Sequence, residues 1–243
     1  MKHGYVRQAG VSCAVLLPGS GSDEVFVAAA FGEPLRTLGI PLIAPVPRAG
    51  DGVIAGFRAA LDAALDRPGR LLVGGISLGA HVATRWAASA PRDRLAGLLL
   101  ALPAWTGPAG SAPAAVAARA SAARARAGGV AGALAAARNG TPPWLVAELE
   151  RAWSRHGAGL AAGLAAAAAE PAPGPAELQA LGVPAGVAAL VDDPVHPLAV
   201  ARRWCALLPC AALVPARLAA FGNDPAVLGR AAVLGWLRAG GRP

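Results

Sequence analysis

The residues best suited to chemistry lie in the stretch 71–81, which reads LLVGGISLGAH. An apolar run from Leu71 to Gly75 leads into Gly75-Ile76-Ser77-Leu78-Gly79, and a helical pattern follows at once from Leu78 through Trp86. This is strand, sharp turn and helix, with a serine at the apex. On so tight a turn the hydroxyl projects clear of the backbone, and a glycine two positions before and after it lets strand and helix pass without collision. The N–H of Leu78 opens the helix and points to where negative charge would develop on an attacked carbonyl oxygen. The chemistry implied is nucleophilic attack on a carbonyl, for which the serine needs a base. The plainer reading is a glycine-rich turn with a bystander serine. The buried-type strand before it and the helix after it favour the first.

The elements that must position Ser77 are an alternation of strands and helices. Strands are expected over 11–17, 40–46, 70–75 and 95–102, with a short edge strand over 5–8. Helices are expected over 23–38, 53–65 and 78–89. In the second of these Val53, Phe57, Leu61 and Leu65 recur at helical spacing. Pro18-Gly19-Ser20-Gly21-Ser22 ends the first strand; Ser20 or Ser22 is a candidate N-cap, with Asp23 and Glu24 in the first turn, where acidic groups suit the helix dipole. Such alternation implies a mostly parallel, twisted sheet flanked by helices. From Pro103 to about Gly182 the alternation stops. That stretch is alanine-rich helix, expected over 112–127, 130–138, 144–155 and 159–169, with prolines at 142–143 and 171–175. Trp105, Trp144 and Trp153 argue that it packs. The sheet resumes over 183–191 and 211–214, with helices over 198–207 and 225–238. The organisation expected is an α/β core over 1–102 and 183–243, interrupted by a helical cap over 103–182.

Composition narrows the partners. At 243 residues the chain can bury a large core. The net charge of +8 would suit an acidic partner or nucleic acid, but only one of the 22 basic residues is lysine and the arginines are scattered, with no basic run. Nucleic-acid binding is therefore not expected. The positive mean hydropathy comes from alanine, and no stretch of about 20 strongly apolar residues is free of charge, Pro and Gly, so no membrane span is expected. The N-terminus, MKHGYVRQAG, lacks the apolar core of a signal peptide. Cys13, Cys205 and Cys210 have no metal spacing and fit a reducing cytoplasm. No two histidines are spaced with a third ligand as a metal site requires, and no cofactor is implied.

With these residues in view the chain resembles the α/β-hydrolase superfamily, in particular its small, cap-bearing esterases, thioesterases and lactonases of actinobacterial type. The likeness spans the serine turn, the sheet order, the cap position, the acid loop and the closing helix. It implies that Ser77 is the nucleophile and that the N–H groups of Leu78 and Ser20 form the oxyanion hole, although Pro18 stands where that loop often carries histidine. It also implies that Asp193, in Asp193-Pro194-Val195-His196-Pro197, is the acid, with Asp192 the near alternative. An Asp-Pro turn at a helix start is the plainer reading of that loop. The tryptophans of the cap, Trp105, Trp144 and Trp153, would line an apolar substrate pocket.

One member is missing. The resemblance places the catalytic histidine after the last strand, yet 217–225 reads RLAAFGNDP and has none. His196, three residues after Asp193, is the leading replacement. His156, in the cap with Trp153 one turn before it, is a second. His81 lies one turn into the helix after Ser77 and should point away from the hydroxyl, while His3 is terminal. No histidine base at all is the remaining reading. Three functions follow: a serine hydrolase of a carboxylic ester, thioester or lactone with an atypical or relocated base; a lyase, cyclase or isomerase without an acyl-enzyme; or a non-catalytic binder. Substrate and oligomeric state are left open by the sequence.

Overall fold

The computed structural model describes residues 10–243; the edge strand expected over 5–8 and His3 lie outside them. Among the described residues six strands form one parallel sheet: β1 (Val11–Leu17), β2 (Leu42–Ile43), β3 (Arg70–Ile76), β4 (Leu95–Ala101), β5 (Ala185–Leu190) and β6 (Ala211–Ala216), in the spatial order β2-β1-β3-β4-β5-β6. Strand residues alternate between two buried faces, which is why the strands read as unbroken apolar runs. Val15, Leu17, Val73, Leu98 and Val187 face α2 (Val53–Ala64), α3 (Leu78–Ser89) and α8 (Leu198–Leu207). Leu16, Leu72, Leu99 and Leu190 face α1 (Glu24–Thr37) and α10 (Ala226–Arg238).

Between β4 and β5 run α4 (Pro113–Ala137), α5 (Pro143–His156), α6 (Leu160–Ala169) and α7 (Pro175–Gln179). The two helices expected over 112–138 are continuous in α4 across a kink, where Gly128 and Gly129 leave helical geometry.

Three expectations need correction. The strand expected over 40–46 is only Leu42–Ile43, an edge element paired to Ala14 and Val15, because Pro45 and Pro47 leave no run of N–H donors for a longer ladder. The N-cap of α1 is Asp23, not Ser20 or Ser22: its carboxylate accepts the Val25 and Phe26 N–H groups at 3.1 Å each. A short helix, α9 (Leu218–Asn223), follows β6 where no element is expected.

Asp23 also anchors the inserted helices. It is 2% exposed, and its second oxygen accepts from Arg151 and, at 3.0 Å, from Arg155, both on α5. Burial would raise its pKa, but the Arg151 hydrogen bond, the Phe26 N–H and the two guanidinium charges outweigh that and hold it below the ordinary 3.8. A depressed carboxylate stabilises the fold above its unfolded pKa, and that contribution disappears as pH falls through the lower folded value. Acid titration followed by Tm should therefore show wild type losing stability below about pH 4 more steeply than Asp23→Ala. At neutral pH the same variant is about 1–2 kcal/mol less stable, having lost the cap of α1 and one of the two acidic partners of Arg151 and Arg155, which keep Glu148 and Glu24.

Candidate active site

Ser77 sits at the C-terminal end of β3, between β1 and β4 in the sheet, with φ 52° and ψ −111°. The strain is held by tight surroundings. Its N–H donates to the Ala101 carbonyl at 2.9 Å, and its own carbonyl accepts from His81 N–H at 3.1 Å. The flanking glycines are required. A Cβ at Gly75 would stand 2.2 Å from the Leu17 carbonyl oxygen, and one at Gly79 would meet the same oxygen at 2.2 Å. Positive φ costs a non-glycine residue about 1–3 kcal/mol. Ser77→Gly should therefore be about 1 kcal/mol more stable than Ser77→Ala in urea denaturation, with both inactive.

The loop after β5 brings two further groups to the serine. Asp193 Oδ1 accepts the N–H groups of Val195 at 2.7 Å and His196 at 3.1 Å. Its Oδ2 accepts from His196 Nδ1 at 2.9 Å. The opposite ring nitrogen, Nε2, lies 3.0 Å from Ser77 Oγ. With Nδ1–H committed to the carboxylate, Nε2 carries the lone pair and the serine hydroxyl donates to it. Burial would raise the Asp193 carboxyl, but the His196 hydrogen bond and charge and the two backbone N–H groups outweigh it and lower its pKa. The carboxylate is thus ionised at neutral pH, as a partner for an imidazolium must be. Asp193 and His196 lie three residues apart on one loop, and the carboxylate that bonds the ring also folds the turn that carries it.

The two other histidines among the described residues are occupied elsewhere. His81 is fully buried, its Nε2 accepts the Ala104 N–H at 3.0 Å, and it packs on Trp105 and Trp204 with ring centroids 4.5 Å and 5.6 Å away. Burial, then the charge of His196, push its pKa down to about 3, so it stays neutral. His156 Nε2 bonds the Ser22 carbonyl at 3.0 Å and fastens α5 to the loop after β1. Asp192 is not bonded to the ring: it accepts the Leu218 N–H at 2.7 Å.

That loop after β1 lies against the serine, with a Cβ built at Gly19 falling 3.7 Å from Ser77 Cβ. Leu78 is the first residue of α3, where an N–H has no acceptor within the helix. Ser20, Ser77, Asp193 and His196 all line one cavity of about 480 Å³, within the usual range for small-molecule sites. Its walls are mostly apolar and come from both the sheet end and α5. Trp144 lines it. Trp105 and Trp153 do not, which corrects the expected pocket. Trp105 is buried beside His81, and its carbonyl accepts from the Trp204 indole at 3.0 Å. Trp153 is buried under the loop, its indole nitrogen 2.8 Å from where a Gly21 Cβ would be. Sequence spacing alone does not separate these three tryptophans, since all three fall in the stretch inserted between β4 and β5. Phe26, Leu102, Leu218 and Phe221 line the cavity without having been singled out from the sequence. Leu102 also has positive φ, 52°, for which the sequence carries no signal.

A second hollow of about 570 Å³ lies at the α4 kink, lined by Gly129, Val130, Leu134 and Ala161. Its one hydroxyl, Ser154, donates to the Glu150 carbonyl at 2.6 Å and faces no base. Among the described residues no three His, Cys, Asp or Glu side chains converge as a metal site would, and no helix is long and apolar enough to cross a membrane.

No family model and no curated protein matches the chain in sequence. Solved structures do match it in fold. An esterase from Thermogutta terrifontis is 22% identical, with a TM-score of 0.62, over 86% of this chain and 82% of that one. The enol-lactonase from Burkholderia xenovorans is 20% identical, with a TM-score of 0.64, over 86% and 84%. A hydrolase from Pseudomonas aeruginosa is 24% identical, with a TM-score of 0.62, over 93% and 90%. At these identities the likeness is one of fold, and the chain has the fold of the α/β-hydrolase superfamily.

Proposed function

We propose that the protein is a serine hydrolase acting on a carboxylic ester, thioester or lactone. The observation that carries this reading is the chain of two bonds, Ser77 Oγ to His196 Nε2 at 3.0 Å and His196 Nδ1 to Asp193 Oδ2 at 2.9 Å. Ser77 Oγ attacks the substrate carbonyl carbon while its proton passes to His196 Nε2. The tetrahedral oxyanion is held by the N–H groups of Leu78 and Ser20, and Asp193 stabilises the imidazolium. His196 then gives its proton to the departing oxygen or sulfur, leaving an acyl group on Ser77. Water, deprotonated by the same nitrogen, releases the acid. In a lactone the departing alcohol stays attached to the acyl chain.

In this reading the stretch 103–182 is a cap whose α5 closes the cavity above the serine, and the partner is a small-molecule substrate. Free thiols at Cys13, Cys205 and Cys210 support a reducing compartment such as the cytoplasm.

Intact-mass analysis after treatment with a fluorophosphonate probe tests the reading. One adduct is expected on wild type, absent in Ser77→Ala and slowed at least a hundredfold in His196→Ala. No adduct on wild type after hours would overturn acyl-enzyme chemistry.

A further inference from the structure

The turn after β6, where a histidine base is expected and absent, has been put to another use. It forms α9, and Leu218 and Phe221 from it line the cavity that holds Ser77. Phe221 meets Phe26 of α1 edge to face at 5.9 Å and Trp144 of α5 edge to face at 5.2 Å. The three rings make one continuous wall across the core, the α9 turn and the inserted helices. Gly222 seats the last of them, since a Cβ there would fall 2.4 Å from the Trp144 indole nitrogen. The turn is tied to the loop of the base through the Asp192 carboxylate, which accepts the Leu218 N–H at 2.7 Å. The residue beside Asp193 thus sets where the wall stands relative to His196.

Charge decides what the wall receives. The chain has 22 basic residues, yet no arginine or lysine among the described residues lines this cavity, whose carboxylates are Asp193 and Glu148. Glu148 is bonded to Arg151. A ligand bearing its own carboxylate would find no arginine or lysine on the described walls to pair with.

Resting on the serine-hydrolase reading, we propose that Trp144, Phe221 and Phe26 form a specificity wall. The substrate is a neutral ester or lactone carrying a bulky aromatic or medium-length aliphatic group packed against it. Asp192 is the positioning residue that holds the wall. Trp144 and Phe221 select the substrate by apolar contact, and walls without arginine or lysine leave an anionic tail desolvated and unpaired.

Hydrolysis of p-nitrophenyl esters from acetate to octanoate, and of acetates of alcohols of rising length, tests this. In at least one series kcat/KM should rise tenfold or more with length. The mono-p-nitrophenyl ester of suberic acid, which puts a carboxylate at the chain end, should be at least tenfold poorer than the octanoate. Trp144→Ala should erase most of the rise. Asp192→Ala should raise KM for the longest ester more than threefold with a smaller change in kcat, and Asp192→Asn, which keeps an oxygen acceptor, should restore it. Flat profiles in both series, equal turnover of the acid-tipped ester, or selectivity unaltered in Trp144→Ala would overturn the wall. Failure of the fluorophosphonate to label Ser77 would instead remove the hydrolase reading. The wall is then judged by octanophenone binding: a Tm rise that is lost in Trp144→Ala keeps it, and no rise removes it.

Discussion

Replacing His196 with alanine is expected to lower kcat on an activated ester by about 10⁴–10⁶-fold, the loss found when one member of a serine relay is removed. KM should move little, because the ring contributes two of its bonds to Asp193 and Ser77 and only part of one wall to the cavity. Initial rates with p-nitrophenyl acetate measure it, with a Tm scan to establish that the variant is folded. A fall of less than tenfold would mean that another group takes the serine proton. The position of the base makes this a sharp test. Because Asp193 holds the ring and two backbone N–H groups of the same turn, the proposed acid and base form one local unit. Their geometry is set within four residues rather than by the docking of two separate loops.

Gly75→Ala is expected to cost about 3–5 kcal/mol of stability, among the larger effects a single methyl group can have. The methyl would lie 2.2 Å from the carbonyl oxygen and 2.8 Å from the nitrogen of Leu17, both backbone atoms of β1, at a residue with φ of 151°. Neither a rotamer change nor a flexible side chain can relieve that contact, so β1 must shift away from β3 and carry the loop after it off the serine. Urea denaturation measures the loss. Gly32→Ala in α1, where a Cβ meets nothing within 4 Å, is the control and should be stabilising by about 0.5–1 kcal/mol. Comparable stability of the two variants would mean that the close approach of β1 to β3 at Gly75 is not required.

The sequence by itself determined the alternation of strands and helices, the insertion between β4 and β5, and the serine turn. Each is written locally, in unbroken apolar runs for strands buried on both faces, in helical spacing, and in glycines at the two positions where chains must cross. Through the resemblance it pointed to Asp193 as the acid, with Asp192 the near alternative, and it marked the place after β6 where the expected histidine is absent. Its place beside Asp193 put His196 ahead of His156 and His81, but the through-space distance from a side chain to Ser77 is encoded in no local pattern, and only the tertiary structure shows that His196 lies 3.0 Å from the hydroxyl. The same holds for the tryptophans. Trp105 and Trp153 are buried among their own neighbours, while Trp144 reaches the cavity because Gly222, 78 positions later in the chain, leaves room for its indole. The α9 turn was not legible because a six-residue helix has too few positions for a period to show. It is stabilised by one bond to Asp192 across the molecule and by Phe26 and Trp144 packing on Phe221, contacts that exist only once the sheet has brought β5 and β6 side by side.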